Sequence, residues 1–550
     1  MTVQKISQQQ NNSIKQPQFK GAVDATMRFL ATNQAIGANG VDVAFMVTPR
    51  TASDAIRRGP VAGLETGRRE ASGTVNHTLI GVYGILAGAI VSALMGIDRK
   101  FGTKVNDMMA APETVKILAE NKAKNMTSQL DYLKETFRNM KAFNPNYKLP
   151  EKVDKDGYVK LSEEFIDEVA KILDKAISDP KINYKKWTIH DTPECIKILT
   201  NKITEHTGAQ SKYILESAER DGIKSVTNLP TVLEDIFRLS KAFNKEKVVE
   251  SFNEQIKNNK NILDNEFVKR FTKFGKYKSL AGFLIASGVG MSIQPLNMYL
   301  TRKKTGQDGF VGVEGRTKDA SIGFKLLKGA TGAGFFAFVL ATLKTGLKGF
   351  MSKMAFTGFW PTISQLKGIY GITIISRLMS ARDKDELREA LTKDFLGFLS
   401  WLVLGDFVNK MVAEGLDKKL QKPVMNRTKE VAQKGYWGRV FNSSLKTRDE
   451  VLIETLAENG IATTKEKDGN IVAKSFKELL KEIDNLPEEA KKLTKKRLRA
   501  LNKAQVAGYM FSGLVLGLGI PNLNIYITNK LDRKHKAEEA AKKAEQAANA

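Results

Sequence analysis

The chain has 550 residues, and its 87 Lys and Arg against 60 Asp and Glu give a formal net charge of +27. A chain of this length is too long for one small core, so two or more modules are expected. Its single cysteine, Cys195, excludes an intrachain disulfide and a cysteine-rich metal site.

The excess of positive charge favours an anionic partner, either nucleic acid or an anionic lipid surface. The Lys and Arg clusters stand beside long apolar runs, and no block interleaves basic with stacking aromatic residues. Nucleic-acid readers more often show such blocks, whereas cations at the ends of apolar runs suit lipid headgroups. The sequence therefore predicts a lipid bilayer with anionic headgroups as the partner, and no nucleic acid.

Residues 1–70 form a polar and basic N-terminal region. Residues 1–20 are rich in Gln and Asn and lack the apolar core of a signal peptide, so we expect no cleavable signal and membrane entry directed by an internal segment. The glycine-bearing basic stretch from Arg57 to Arg69 could cradle a phosphate, but it lacks the spacing of a phosphate-binding loop. Docking on anionic lipid is the favoured interpretation.

The first strongly apolar run, Ala71 to Ile97, predicts a transmembrane helix within residues 71–103, because about 20 helical residues cross the hydrocarbon core. Small residues recur at every fourth position of this run, at Gly84, Gly88, Ser92 and Gly96. On a helix they form one stripe, which predicts a face for close packing against a partner helix. The alternative is that glycine is simply frequent in membrane helices.

Residues 104–278, here called the first insert, have the composition of a water-exposed, mainly helical segment. Helix starts are expected at Pro112, Ser162, Pro193 and Pro230. Tyr147 to Lys160 predicts a β-hairpin that turns at Asp154 to Gly157. The expected arrangement is therefore helix, β-hairpin, helix.

Part of this hairpin resembles a fragment of a calcium-binding loop. With Gly157 at the glycine position of such a loop, three carboxylates fall at ligand positions three, five and twelve. They are Asp154, Asp156 and Glu163. The first ligand position is then Lys152, a cation where a carboxylate is needed, so a plain turn is the favoured interpretation.

A second group of reactive side chains lies close together in sequence: His190, Asp191, Glu194, Cys195, Glu205 and His206. A Cys–His nucleophile or a zinc site uses such side chains. Their spacing matches no ligand pattern, and Cys195 is expected to be a small packing residue in a helix. We therefore predict no catalytic, cofactor-binding or metal-binding residues, and no cofactor.

In chain order, the remaining regions are a transmembrane helix at 279–301, an interrupted apolar membrane region at 302–413, the second insert at 414–503, a transmembrane helix at 504–529 and a charged tail at 530–550. The number of spans in the interrupted region is left open. The second insert is predicted to be water-exposed, with a helix that ends at Gly460 and a hairpin from Ile461 to Ala473.

The two later transmembrane runs end in the same phrase, Leu296-Asn297-Met298-Tyr299-Leu300-Thr301 in one and Leu523-Asn524-Ile525-Tyr526-Ile527-Thr528 in the other. An Arg-Glu-Ala triplet stands before an apolar run in each half, at residues 69–71 and 388–390. Each triplet's run is followed by a helix, a hairpin, another helix and a basic lead-in to the phrase. The chain is therefore predicted to hold an internal two-fold repeat of apolar helix, insert and apolar helix.

Pro295 and Pro521 interrupt the hydrogen bonding of the helices that carry the phrase. In one interpretation, Asn297, Asn524 and the freed carbonyls line a polar cavity. In the favoured one, each proline marks the membrane exit, because about 16 preceding residues already span about 24 Å, and the tyrosines are interfacial anchors. Asp406, in another apolar run, marks either an ion pathway or a helix end at the interface.

The sequence as a whole predicts a mainly α, polytopic helical membrane protein with two inserts, integral to a membrane that would be the cytoplasmic one in a bacterium. A non-enzymatic role as a membrane scaffold or assembly component is favoured, because no catalytic constellation is recognised. The alternative is a transporter or channel built on the repeat, which calls for paired buried polar residues facing a cavity between the halves. A lipid-modifying enzyme would need an acid–base or metal cluster at headgroup depth, and only the stretch from His190 to His206 offers such side chains.

Overall fold

The computed structural model describes residues 34–524, with gaps at 104, 106–107, 146, 148, 183–192, 307–318, 359–360, 461–462, 466–470 and 474–481, together with five isolated positions after residue 524. The described chain is mainly helical, and its strands form only small antiparallel sheets. This confirms the predicted mainly α class.

The N-terminal part of the described chain is a helical hairpin followed by two further helices. Its elements are α1 (Gln34–Asp42), a π-helical turn (Val43–Val47), α2 (Thr48–Arg58), α3 (Pro60–Thr78), α4 (Ile80–Met95) and α5 (Ile97–Phe101). Gly59, with φ of +93°, reverses the chain between α2 and α3, and Pro60 starts α3 because its fixed φ suits a first helical turn. The axes of α3 and α4 are bent by 52° at the break between them.

The first insert holds helices and a four-stranded antiparallel sheet. Its elements are α6 (Pro112–Lys124), α7 (Gln129–Arg138), β1 (Met140–Phe143), β2 (Tyr158–Lys160), α8 (Glu163–Ser178), α9 (Glu194–Thr207), β3 (Tyr213–Glu216), β4 (Lys224–Thr227), α10 (Leu229–Phe243) and α11 (Glu246–Lys257). The strand order is β2-β1-β3-β4, and Ala142 on β1 is paired with Val159 on one side and Tyr213 on the other. The buried side chains of the insert form one continuous apolar core.

A series of mostly apolar helices follows the first insert. Its elements are α12 (Glu266–Thr305), α13 (Ile322–Thr342), α14 (Leu347–Lys353), α15 (Ile363–Met379), α16 (Lys384–Leu399), a π-helical turn (Ser400–Leu404) and α17 (Gly405–Asp417). α12 packs along both α4 and α15, and α13 and α16 also contact α15. Because helices pack around it, α15 is buried over most of its surface.

The second insert ends in the last long helix. Its elements are β5 (Met425–Asn426), α18 (Lys429–Gln433), α19 (Tyr436–Asn442), β6 (Ser444–Leu445), α20 (Arg448–Glu458), β7 (Thr463–Lys465), β8 (Ile471–Ala473) and α21 (Glu488–Gly513), which continues into a π-helical turn (Leu514–Gly519). The strands form two separate antiparallel pairs, β5-β6 and β7-β8. α21 packs along α17, as α12 packs along α4.

Helices α1–α4, α12–α17 and α21 together make one helical body, here called the apolar bundle, with a core distinct from that of the first insert. Four of its helical segments are long and apolar enough to cross a membrane, judged by length and composition alone. They are Glu266–Lys304, Ile322–Thr342, Lys384–Asp417 and Glu488–Asn524. The bent pair α3–α4 would add a fifth.

Several local predictions are confirmed by the observed element bounds. The expected helix starts at Pro112, Ser162, Pro193 and Pro230 lie at or next to the first residues of α6, α8, α9 and α10. The turn at Asp154–Gly157 is present, closed by a bridge between Val153 and Val159, with Gly157 at φ of +85°. The hairpin expected from Tyr147 to Lys160 was wrong in its first arm, because β2 pairs with β1 earlier in the chain and Pro150–Lys152 is a 3-10 turn. In the second insert, β7 and β8 form the expected hairpin, but its turn and most of the helix expected after it lie outside the described residues.

The small-residue stripe of α4 packs inside the chain. Gly84 and Gly282, on α4 and α12, both contact the ring of Phe356, whose backbone N–H donates to Ser279 Oγ at 3.1 Å. Gly88 and Ser92 are buried along the same helix. Gly96 differs from the prediction: it is the left-handed residue that ends α4, with φ of +62°, and a Cβ there would meet nothing within 4 Å.

The two inserts lie at the same end of the apolar bundle and contact each other. Glu450 Oε1, on α20 of the second insert, accepts hydrogen bonds from the backbone N–H groups of Gln210 and Ser211 in the first insert, at 2.7 and 3.0 Å. Its other oxygen accepts from the N–H of Thr447 and so closes the capping box of α20. The carboxylate is fully buried between the inserts.

The close packing of the Phe356 ring against Gly282 can be tested by adding a methyl group at that glycine. Gly282→Ala is expected to destabilise the protein by about 1–3 kcal/mol, because overpacking a tight site forces its neighbours to move. The added methyl would lie 2.9 Å from Phe356 Cε2. Thermal unfolding of the purified protein in mild detergent measures the effect.

Gly288→Ala is the matched control, since it lies on the same helix and a Cβ there meets nothing within 4 Å. We expect it to be neutral or slightly stabilising, because alanine is the better helix former. Equal melting temperatures for the two variants would contradict the packing described.

Candidate functional site

Charged side chains from five helices meet inside the apolar bundle. This group, here called the central charge cluster, comprises Asp42, Arg50, Glu70, His77, Arg377, Lys393 and Asp394. Asp42 comes from α1, Arg50 from α2, Glu70 and His77 from α3, and the rest from α15 and α16. The cluster therefore lies where the N-terminal half of the chain meets the C-terminal half.

Ion pairs join the helices across this cluster. Glu70 pairs with Arg50 at 3.2 Å and with Lys393 at 2.5 Å, so one carboxylate connects α2, α3 and α16. Arg377 pairs with Asp394 at 3.0 Å and connects α15 to α16. Since buried charges are costly unless paired, these contacts fix how the helices stand against one another.

Four side chains of the cluster have buried atoms without a hydrogen-bond partner in the described part of the chain, and Arg50 Nε and Glu70 Oε2 are among these atoms. One oxygen of Asp42 accepts a hydrogen bond from the Thr74 hydroxyl, while its Oδ1 is buried without a hydrogen-bond partner. Both ring nitrogens of His77 are likewise buried and unpartnered. The His77 ring packs edge-on to Tyr370, at 4.9 Å between centroids, and beside Trp401 at 5.9 Å. Such atoms cost about 1–3 kcal/mol each when nothing satisfies them.

A second polar contact joins α3 to the end of α12 that carries the repeated phrase. The guanidinium of Arg68 donates to Asn297 Oδ1 at 3.2 Å and to the Asn297 carbonyl at 3.1 Å. Arg68 also binds Glu65, at 2.9 Å, while Asn297 Nδ2 donates to Ser72 Oγ, also at 2.9 Å. Asn297 is thus fully engaged with α3.

The proline in α12 leaves a carbonyl free, and another helix binds it. α12 runs unbroken through Pro295, which cannot donate to the carbonyl of Met291. The hydroxyl of Ser376, on α15, donates to that carbonyl at 2.8 Å. An open recess beside Pro295 is lined by Met298, Tyr299, Arg302 and Ser380, but not by Asn297.

The two copies of the phrase take the same arrangement. Asn297 and Asn524 are buried, and the tyrosines two positions later, Tyr299 and Tyr526, are exposed. Asn524 Nδ2 donates to the carbonyl of Glu389, at 3.3 Å. In both halves, therefore, the asparagine contacts the part of the helix that carries the Arg-Glu-Ala triplet, and direct contacts between helices stand where one interpretation expected a cavity.

The calcium-loop fragment is a turn whose carboxylates serve other contacts. Asp154 Oδ1 accepts from the N–H groups of Asp156 and Tyr158, at 3.0 and 2.8 Å. Glu163 accepts from the guanidinium of Arg138 at 2.8 Å and lies in the first turn of α8. This agrees with the favoured interpretation of a plain turn.

The reactive group around Cys195 does not assemble in the described residues. His190 and Asp191 lie outside them. Cys195 packs at the edge of the core of the first insert, and burial raises the pKa of its thiol, which disfavours the reactive thiolate. His206 stacks on Phe165 at 4.0 Å and lies about 16 Å from Cys195 along α9, given a rise of about 1.5 Å per residue. The described residues contain no group of three or more His, Cys, Asp or Glu placed to hold a metal.

The other two sites considered from the sequence, the basic stretch from Arg57 to Arg69 and Asp406, both lie in helical parts of the chain. The basic stretch from Arg57 to Arg69 is the junction of α2 and α3, and Arg68 at its end points to α12. Asp406 is exposed and pairs with Lys410 at 2.9 Å, and it does not mark a helix end, because the helical segment Lys384–Asp417 continues through it.

Buried ion pairs also stabilise the base of the second insert. Glu454 on α20 pairs with Lys446 at 3.0 Å and with Arg497 on α21 at 2.8 Å. Burial raises the pKa of Glu454, but the two cations more than offset this and leave the pKa below its usual value. α20 is thereby tied to the helix that leads back into the bundle.

Sequence reasoning missed the central charge cluster. Its signal was present, since Asp42 stands alone among apolar residues and Lys393-Asp394 opens an apolar run. The pairing itself gave no signal, because Glu70 and Lys393 are 323 positions apart. No protein family, curated protein or solved structure matches this chain.

Removing the shared carboxylate tests whether the cluster holds the bundle together. Glu70→Gln is expected to destabilise the protein by about 3–5 kcal/mol, because the buried charge of Arg50 and the partly buried charge of Lys393 would lose the carboxylate that they share. The measurement is thermal unfolding in detergent, followed by helical circular dichroism. Glu389→Gln is the matched control, since Glu389 holds the same place in the second triplet and no ion pair joins it in the described part of the chain. A loss of stability in the control as large as in Glu70→Gln would contradict the assignment.

Proposed function

We propose that this chain is an integral membrane protein whose apolar bundle crosses the bilayer and carries both inserts on one side. The observation that carries the proposal is the row of large apolar side chains exposed on the outer faces of the bundle. From α3 to α4 they are Val61, Leu64, Val75, Leu79, Val82, Leu86, Ile90 and Leu94; on α12, Leu280, Leu284, Val289, Met291 and Leu296; on α13, Ile322, Leu326 and Leu327; and on the last helix, Val506, Met510, Leu514, Leu518 and Leu523.

The inserts lack such rows. The first insert exposes Leu149, Val226 and Ile256, scattered over separate elements. Scattered apolar residues are normal on a protein in water, whereas a continuous apolar face calls for lipid or a partner. The spacing of three to four residues on α4, from Leu79 to Leu94, makes such a face along one side of a helix. Lipid around the bundle and water around the inserts accounts for both patterns.

An internal two-fold repeat is part of the proposal. It is supported by three features that recur in order: a helix that leads up to an insert, an antiparallel helix that leads back, and a buried asparagine in the repeated phrase that contacts the triplet region. Because both inserts lie at the same end of the bundle, the two copies run in parallel rather than inverted. The N-terminal hairpin and the α13–α15 segment are then additions to the repeat.

We propose a non-enzymatic scaffold or assembly role at an anionic membrane surface. Two observations support it: the inserts are joined through the buried Glu450, and exposed cations precede the apolar part of each returning helix. These cations are Lys269, Lys273 and Lys276 on α12, and Lys492, Lys496, Arg499 and Lys503 on α21. At headgroup depth they would bind lipid phosphates.

Membrane fractionation tests this proposal. The full-length chain is expected to stay in the membrane pellet after an alkaline carbonate wash and to need detergent for monodispersity, because its apolar faces would otherwise associate. A monodisperse chain without detergent, or release by the alkaline wash, would contradict the proposal. Floating the purified chain with vesicles of neutral and of anionic lipid separates insertion from electrostatic adsorption, since high salt reverses only the latter.

A transporter or channel built on the repeat is a second candidate, favoured by the central charge cluster. Ionisable side chains inside a bilayer commonly mark ion or proton pathways, and this cluster lies between the two halves. In proteoliposomes with an imposed pH gradient, the wild-type chain would then dissipate the gradient faster than empty vesicles do. Asp42→Asn would abolish the excess rate, because Asp42 carries a buried oxygen without a partner. The control, Asp406→Asn, removes an exposed carboxylate and should leave the rate unchanged. A wild-type rate equal to that of empty vesicles would reject proton movement.

A further inference from the structure

The short helix α19 of the second insert lies against the flank of α17 rather than inside the insert. Three contacts hold it there. The Tyr436 hydroxyl donates to the carbonyl of Met411, at 2.9 Å, and the guanidinium of Arg439 donates to Glu414 at 2.6 Å. Val440 is buried beneath the helix.

The outward face of α19 is aromatic and uncovered. Trp437 is 54% exposed and Phe441 is 63% exposed, and both rings stack against Phe407 of α17, at 6.0 and 5.0 Å between centroids. These are the only large apolar side chains exposed in the described part of the second insert. Two neighbouring exposed aromatic rings, on an insert whose other exposed side chains suit water, indicate a surface that another molecule covers.

The level of this aromatic face along the bundle can be read from α21, the helix that packs along α17. Phe407 lies within the apolar segment Lys384–Asp417, two residues after Gly405. Gly405 meets Gly508 of α21, where an added Cβ would lie 2.7 Å from the Gly405 carbonyl oxygen. On α21 this level separates the exposed Lys503 from the exposed Met510, so the surface changes there from basic to apolar. α19 thus lies at the level at which the bundle would leave the hydrocarbon.

We propose that α19 is an interfacial helix that docks the second insert on the bilayer, with Trp437 and Phe441 inserted among the lipid headgroups and upper acyl chains. The inference rests on the proposed membrane location. Lipid is the occupant because α19 lies on α17 at the level where the surface of the neighbouring α21 changes from basic to apolar, and because tryptophan and phenylalanine suit this depth. Lys434 and Lys418, both exposed, stand beside the helix where phosphates would lie.

Site-directed spin labelling of the full-length chain tests the depth of α19. In a Cys195→Ser background, single cysteines replace Phe441, Leu514 or Val226, and each variant is labelled with a nitroxide and reconstituted into vesicles containing anionic lipid. Collisions with oxygen, which concentrates in lipid, are compared with collisions with a water-soluble nickel chelate. Leu514 is the lipid reference, and Val226, an exposed apolar residue of the first insert, is the aqueous reference.

The label at position 441 is expected to give an oxygen-to-nickel ratio between the two references and several-fold above that at position 226. A ratio equal to that at position 226 would place α19 in water and overturn the inference. Protection from both reagents would show that protein covers the face, which also overturns it. An aqueous ratio at position 514 would refute the membrane location itself, so that failure is distinguishable from failure of the docking inference.

Discussion

Charge enclosed in an apolar body is the constraint on which the arrangement of the helices depends. Glu70 has an ion partner on each of two other helices, and its loss would leave the buried Arg50 and the partly buried Lys393 without the carboxylate that they share. The helices therefore have little freedom to slide or rotate singly. The Arg377–Asp394 pair extends the same restraint to α15, against which α12, α13 and α16 pack.

Backbone polar groups inside the bundle are also satisfied by side chains from neighbouring helices. Pro295 deprives a carbonyl of its helical partner, and Ser376 on α15 supplies a hydroxyl. Asn297, in the next turn, binds Arg68 and Ser72. Where little water is available, polar groups released by a helix must be bound by a neighbouring helix. The proline and the asparagine thus mark where α12 is held to its neighbours.

The sequence was sufficient for features that depend on short range. Helix starts such as Pro112, the turn at Gly157 and the end of α20 at Gly460 follow from local backbone chemistry, and the mainly helical class follows from apolar periodicity. The stripe on α4 was recognised, but Gly96 was assigned to packing although it is a helix cap, because a fourfold spacing cannot tell the last helical residue from the one that ends it. The four-stranded sheet was missed in part, since β1 pairs with β3, some 70 residues later, and no periodicity encodes such a pairing.

At the candidate site, even more of the structure depends on contacts between residues that are far apart in the sequence. Asp42 and Lys393 can be noticed in a sequence as charges in apolar surroundings, but the partner of each is chosen by how distant helices cross. The same holds for Asn297 and Asn524. The repeated phrase predicts that the two residues are equivalent, but it does not predict which residues they contact. The residues that meet at the candidate site depend on these long-range contacts, and so the sequence predicted the helical class better than it predicted the site.

The contact between the inserts has a consequence for how the chain can change over time. Glu450 recognises only main-chain amides in the first insert, which every amino acid except proline provides. Substitutions at positions 210 and 211 other than to proline therefore keep both donors, whereas loss of the carboxylate at position 450 removes both hydrogen bonds. The sequence on the amide side of this contact can therefore vary, whereas the contact requires the carboxylate on the other side.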